Sequence, residues 1–517
     1  MIPPITPSTR AESIDRLRRD TFDVLILGGG INGAGTARDL ALRAKTTGAE
    51  LNIALIDQNH FASGTSSRNS HLIHGGLRYL KQLAIHLVRE SLRERAVLLK
   101  IAPHLVEPQP FLLPLAGLYK SLYYATGLTI YDLLDQSGAL PRHRRVPLDE
   151  VRRLEPGLAA PGMTAAAEYY DGQVRSARLV LENIFEAAAN GAACANYIRA
   201  VGRRCEEGGT WRVRLEDRVS GEMFETRARV IIDATGPWAR DPQPRLVRGS
   251  HIILPRLNAS QHAIAHFDDS GRIIFFIPWG ERGDRTLIGT TDVDHDSTAD
   301  RVEISADETR YLRDITARVF PESTKLETLA TFSSLRPLLV SSGSATKATR
   351  EHRIFFDREN ILRITGGKYT TYRAMSEEAA DLALSRLSAQ SLSRVAPALQ
   401  KIHLTAETPL NGNSIQAIAT LRAQAPALAA AHALPKDEIL FLIRQYGVLA
   451  PAVLSCVPPL SNSSTSPISR IDAARLDFAV RHEMAIYPSD FLEISTSLAH
   501  EGRAIPLESP LLASPNL

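Results

Sequence analysis

The chain has 517 residues, 44% of them apolar and 23% charged, which excludes both a disordered protein and a bundle of membrane spans. Sixty basic residues against fifty-seven acidic ones leave a formal charge of +3, so no global basic field points to nucleic acid as a partner. Cys194, Cys205 and Cys456 lie far apart, in no CxxC pair, and make neither a disulfide framework nor a zinc site.

Residues 1–20, with Pro3, Pro4 and Pro7 followed by mixed charges, read as a loose leader. From Thr21 the pattern is strand, glycine turn, helix, strand. Phe22 to Leu27 is a short apolar run, Gly28 to Gly33 the turn, Ala34 to Ala44 the helix, and Leu51 to Ile56 the second strand, ending at Asp57. Leu77, Leu80, Ala84, Leu87, Leu92 and Leu99 keep an approximate helical period, which predicts a helix over 77–101. Phe111 to Leu134 is rich in Leu and Tyr, with only Lys120 and Asp132 charged, and Arg142, Arg144 and Arg145 follow it. Short alternating runs from Ala195 to Thr290 predict a mostly antiparallel sheet. A last strand, Ile361 to Ile364, leads into Gly366-Gly367-Lys368 and a helix over 371–387. After about Ser391 the composition turns to Ala, Leu, Pro and Ser at helical spacing, so a helical domain is expected over 391–517, with Ser461 to Ser469 as a surface loop. No apolar run reaches the roughly 18 residues that a spanning helix needs.

The turn Gly28-Gly29-Gly30-Ile31-Asn32-Gly33 matches G-x-G-x-x-G between a strand and a helix, the context a dinucleotide fingerprint requires. Its glycines let the backbone approach a pyrophosphate, and the free NH groups of the helix N-terminus favour the negative charge. Asp57, at the end of the second strand, is placed to accept from a ribose. Gly236 and the pair Gly366-Gly367 form two further strand-end turns, spread with the first over roughly 340 residues, and together they suit one extended FAD better than one NAD. No His or Cys stands in a flavinylation motif, so the cofactor is expected to be non-covalent.

Several segments carry a resemblance: DVLILGGGINGAGTARDLALR, HGGLRYL, DATGPWA, GSHIILPR (Gly249 to Arg256), FSSLRPL (Phe332 to Leu338), ATREHRI (Ala348 to Ile354) and ITGGKYTTYR (Ile364 to Arg373). In this order, from about Thr21 to Arg373, the chain closely resembles the FAD-dependent, quinone-linked sn-glycerol-3-phosphate dehydrogenases. The resemblance implies an α/β fold, a Rossmann-like FAD-binding domain interleaved over 21–390 with an antiparallel-sheet substrate domain. It also implies oxidation of glycerol 3-phosphate to dihydroxyacetone phosphate. Electrons would pass to a quinone by peripheral contact with the inner face of the cell membrane, from the cytoplasm, and a homo-oligomer is left open.

Residue by residue, Gly28, Gly30, Asn32, Gly33, Asp57, Thr65, Ser66, His74, Gly75, Gly76, Gly236, Gly366, Gly367 and Lys368 fall in the cofactor-binding motifs. A phosphomonoester needs fixed cationic donors, and Arg78, Arg336 and Arg350 sit in family-like motifs with Lys368 and Tyr79 beside them. Removing the hydroxyl proton as hydride leaves needs a base of near-neutral pKa, for which His251 is favoured over His74, the latter expected beside the flavin ring. Two departures stand out. His71 replaces a lysine common in the family, which makes a cationic role there pH-dependent, and Phe491-Leu-Glu-Ile-Ser-Thr-Ser-Leu replaces an arginine-rich pattern after Arg481 to Ala485. The tyrosine-rich stretch to Arg145 suits contact with a membrane surface. The rival readings are an oxidase of the same fold that uses oxygen, and a flavin-binding protein that contacts RNA through Arg142 to Arg145.

Overall fold

The computed structural model describes residues 7–77, 84–240, 243–339, 351–389, 396–400, 402–459, 468–507 and 509–511. Phe22 to Leu27 is buried along its whole length because both faces of its strand, Thr21–Leu27, are covered, as a parallel central strand requires. It pairs in parallel with Met223–Asp233 on one side and Ile53–Ile56 on the other, and the sheet continues to Leu362–Gly366 and Ala193–Ala195. Helix Ile31–Thr47 lies on one face. Its Ala34, Ala37 and Ala41 are fully buried, and their small side chains let it pack closely with helices Ser176–Ala189 and Tyr372–Ala389. The parallel strands all end at one edge, and there the turns after Leu27, Ile56, Asp233 and Gly366 converge.

The second sheet is centred on Arg245–Pro255, which runs antiparallel to Ala330–Leu338 and to Arg285–Gly289. Register places His251 opposite both Gly289 and Phe332, and Val247 opposite Arg336. The sheet extends through Ile273–Trp279 and Ala263–Phe267 to the long pair Val106–Ala116 and Met163–Val174. This is the expected α/β architecture, a Rossmann-like sheet interleaved with an antiparallel one and followed by helices.

Several local expectations change. The supposed loose leader contains a helix, Pro7–Arg19, because Ile14 and Leu17 cover the other face of the parallel sheet. Arg10 is buried and locks that helix down, bonding Asn196 and pairing with Asp217 at 2.7 Å. The helix predicted from 77 is described over Ile85–Ile101. The Leu- and Tyr-rich stretch splits between strand Val106–Ala116 and helix Gly117–Leu134. The helices beyond Ser391 share one hydrophobic core with the dinucleotide half, since Leu442, Tyr446 and Phe478 join the cluster that holds Leu40 and Leu181. The loop expected over 461–469 lies outside the described residues up to 467.

Candidate active site

One cleft of about 1370 Å³ runs between the two sheets. At one end lies the glycine turn. Gly28 has φ +104°, and a Cβ there would stand 2.6 Å from the Ala234 carbonyl, so only glycine lets the first and second strand-end turns meet. Among the described residues the following helix has no side-chain cap beyond Ser66 Oγ, which accepts from the Ile31 N–H at 3.0 Å, and such a helix end favours an anion. Asp57 accepts from the Gly29 and Asn59 amides at 2.7 and 2.8 Å, and burial pushes its carboxyl up to about 6. Gly30, Asn32, Thr65, Ser66, His74, Gly76, Gly236, Gly366, Gly367 and Lys368 all line the same space. These residues of the expected dinucleotide motifs therefore share one cleft.

The turn His74-Gly75-Gly76 is held from behind. The His74 amide donates to Thr370 Oγ1 at 3.2 Å, and the Gly75 amide donates to Tyr131 Oη at 2.8 Å and to Asp171 at 3.2 Å. Arg95 pairs with Asp171 at 2.5 Å and offsets part of the burial that raises this carboxyl above its usual range. None of Tyr131, Asp171 or Arg95 carries a sequence signal, because the strand and helices that supply them meet only in the fold. Thr65 Oγ1 donates to the Leu335 carbonyl at 2.5 Å and so ties the loop after Asp57 to the strand that carries Arg336.

At the other end are His251 and Arg336. Both need space that glycines provide: a Cβ on Gly289 would lie 2.2 Å from the His251 ring, and one on Gly249 would lie 2.4 Å from the Arg336 guanidinium. Gly249 was legible two residues before His251, but Gly289 is brought opposite it only by strand register. Arg336 donates to Thr290 Oγ1 and the Thr291 carbonyl at 2.9 and 3.0 Å and pairs with Asp292 at 2.5 Å. The Lys368 ammonium donates to the Leu87 carbonyl and to Ser91 Oγ, on helix Ile85–Ile101. Arg78, Tyr79 and Arg350 lie outside the described residues.

The divergent C-terminal stretch reaches this cleft. Glu493 pairs with Arg68 at 2.5 Å, Asp490 accepts from Tyr197 Oη at 2.6 Å, and His500 packs its ring 5.0 Å from Phe332. Around Phe332 stand three buried histidines, His71, His251 and His500. Burial, then the neighbouring His500, lowers His71 to about 3, and burial, then Arg68, lowers His500 to about 3. The cationic, pH-dependent role expected of His71 is thereby corrected, since its ring is neutral at physiological pH and stacks 5.3 Å from Trp279. Burial, then the Arg336 charge and His71, also holds His251 well below the usual histidine range, lower than the near-neutral base that was expected.

These rings make the fold sensitive to acid. As pH falls below 6.5, the unfolded chain binds protons that the native imidazoles do not. Stability therefore rises with pH up to that point and is fully present above it. Each ring costs up to about 1.4 kcal/mol per pH unit below its unfolded pKa. Asp39 and Asp57, buried carboxyls raised to about 6, oppose this over the same range, so the fall in melting temperature between about pH 7 and pH 5.5 is expected to be smaller in a His71→Gln variant than in the wild type by calorimetry, and an equal fall would place the ring in solvent.

Comparison with known proteins adds the following. The family profile described as FAD dependent oxidoreductase (DAO) matches residues 23–405. A glycerol-3-phosphate dehydrogenase of Synechocystis sp. is 34% identical, over 93% of this chain and 90% of that one. An alpha-glycerophosphate oxidase of Streptococcus pneumoniae is 30% identical, over 94% and 90% respectively. Among solved structures, the glycerol-3-phosphate dehydrogenase from Bacillus halodurans complexed with FAD matches with a TM-score of 0.76 at 24% identity, covering 96% of this chain and 90% of that chain, a likeness of fold.

Proposed function

This chain belongs to the family of FAD-dependent glycerol-3-phosphate dehydrogenases, and from that premise we propose how its cleft does the chemistry and where the electrons go. The enzyme oxidises sn-glycerol 3-phosphate to dihydroxyacetone phosphate with FAD as cofactor. The observation that carries the assignment of roles is that one cavity is lined both by the dinucleotide turns and by His251 and Arg336. When bound, FAD supplies the hydride acceptor.

On this reading Gly28, Gly30, Asn32, Gly33 and the helix amides hold the pyrophosphate, and Asp57 takes the ribose hydroxyls. Thr65, Ser66, His74 to Gly76, Gly236, Gly366 and Gly367 border the rest of the cofactor. Arg336 binds the substrate phosphate, Arg78, Tyr79 and Arg350 are further candidates for it, and Lys368 adds positive charge nearby. His251 takes up the hydroxyl proton. Mixing the purified flavoprotein anaerobically with glycerol 3-phosphate should bleach the flavin absorbance, whereas glycerol should not. Retention of the oxidised spectrum would overturn the reading.

Asp57 gives this proposal a pH signature. Ribose hydroxyls donate best to the carboxylate, so FAD binding expels the proton that burial retains up to about pH 6. Reconstitution of apoprotein is expected to weaken about tenfold per pH unit below that point, read by flavin fluorescence. A dissociation constant independent of pH would remove Asp57 from the ribose.

For the acceptor, we propose a membrane quinone reached from the inner face of the cell membrane. Among the described residues no helix is long and apolar enough to cross a membrane. Helix Gly117–Leu134 instead buries Leu128 and Tyr131 and exposes Leu122 and Leu133 by 71% and 70%, and the exposed Arg142 and Arg145 follow it in the chain. An apolar face followed by arginines suits the headgroup level of anionic lipid. The protein should sediment with anionic liposomes, be partly released by salt, and reduce a quinone analogue much faster than oxygen. Fast peroxide formation by protein that ignores liposomes would favour oxygen as acceptor.

A further inference from the structure

His251 borders the cleft yet is 1% exposed, so almost none of its ring is open to a molecule bound there. The ring stacks on Phe332 at 4.9 Å and lies over Gly289. Its Nδ1 is buried without a hydrogen-bond partner among the described residues, and Nε2 lies 2.9 Å from Ser70 Oγ. Ser70 is partly exposed and lines the cleft. The loop that carries it is fixed at both ends. Asn69 donates to the Thr65 and Ser66 carbonyls and accepts from the His71 amide at 2.8 Å, while Ser66 receives the first amide of the dinucleotide helix. One loop thus holds a cofactor contact and the hydroxyl in front of the imidazole.

We propose that Ser70 and His251 act as a dyad in which the Ser70 hydroxyl meets the substrate hydroxyl and relays its proton to His251 Nε2. The inference rests on the reading of His251 as the base. In the step, the substrate O–H bond breaks and its proton passes to Ser70 Oγ while the proton of Ser70 moves to His251 Nε2. The C–H bond on the same carbon breaks with its electron pair going to FAD, the oxidant of the established activity, and a C=O bond forms. The imidazolium keeps one proton, which returns through Ser70 to solvent once the ketone has left. The groups facing His251 are Arg336 with its partner Asp292, His71, and His500 across Phe332. A relay through a hydroxyl lets the base stay dry and neutral among them while the substrate remains in the open cleft.

The test is anaerobic stopped-flow reduction of the FAD-loaded enzyme by glycerol 3-phosphate, in H2O and D2O and across pH. Ser70→Ala is expected to slow flavin reduction about 100-fold, to change its solvent isotope effect and pH profile, and to leave FAD content and the saturating substrate concentration nearly unchanged. Ser70→Thr, which keeps a hydroxyl, should restore most of the rate. The double variant Ser70→Ala/His251→Asn should be no slower than His251→Asn, because the two groups act in series. If Ser70→Ala reduces flavin with the wild-type rate and pH profile while His251→Asn is slow, the relay is wrong and the base assignment stands. If His251→Asn itself is silent, the base assignment fails and takes the dyad with it.

Discussion

Replacing Arg336 by alanine is expected to raise KM for glycerol 3-phosphate by roughly 10- to 150-fold, equivalent to the about 1.5 to 3 kcal/mol of a charged hydrogen-bond partner. The expectation has two parts. The phosphate loses a planar donor that Gly249 makes room for and that Thr290 and Thr291 hold in place. In addition the ion pair between Arg336 and Asp292, whose side chain is 3% exposed, is lost next to an incoming dianion. Arg336→Lys should recover only part of the effect, since a point charge cannot reproduce the guanidinium fork. Glycerol, which lacks the phosphate, should be little affected. An unchanged KM in the alanine variant would place the phosphate elsewhere in the cleft.

The second large effect is on the rate of flavin reduction. His251→Asn is expected to lower it by about 100- to 10,000-fold, the usual span for loss of a general base, while the yellow holoenzyme is still recovered. Asparagine keeps a polar group within reach of Ser70 and fills much of the imidazole volume opposite Gly289, so the loss reports proton transfer rather than packing. The pH profile is a separate check. Because burial, then Arg336 and His71, depress the imidazole, the neutral form persists on the acid side of pH 6.5. The wild-type rate should therefore hold on the acid side of the usual histidine range and fall only well below it, and the variant should lack that limb. The same substitution at His74, whose amide is anchored to Thr370, tests the rival assignment. A His74 variant with the larger loss would transfer the role.

How much of the site was legible depends on the range of the interaction that builds it. The dinucleotide turn, Asp57 and the later strand-end glycines follow from local pattern, because a short apolar run, a glycine turn and a helix are consecutive in the chain and need no partner to be recognised. The amphipathic helix was half legible. Its composition marked Phe111 to Leu134 as unusual, but the turn from strand to helix at Gly117 depends on pairing with Met163–Val174, which lies dozens of residues away.

The charge state of the histidines could not be read at all. His71 looks like a pH-dependent cation when only its neighbours in sequence are seen. Its neutrality comes from Trp279, Phe332 and His500, contributed by two strands and the C-terminal segment. The same holds for Ser70 facing His251, Gly289 beneath the ring, and Glu493 reaching Arg68. By itself the sequence determined the α/β class, the strand-end glycine turns and the use of FAD, all encoded in contiguous residues. Tertiary structure alone decided which side chains share the cleft and which of them are charged, because burial and through-space charge are set by residues that meet only when the two sheets and the last helices pack together.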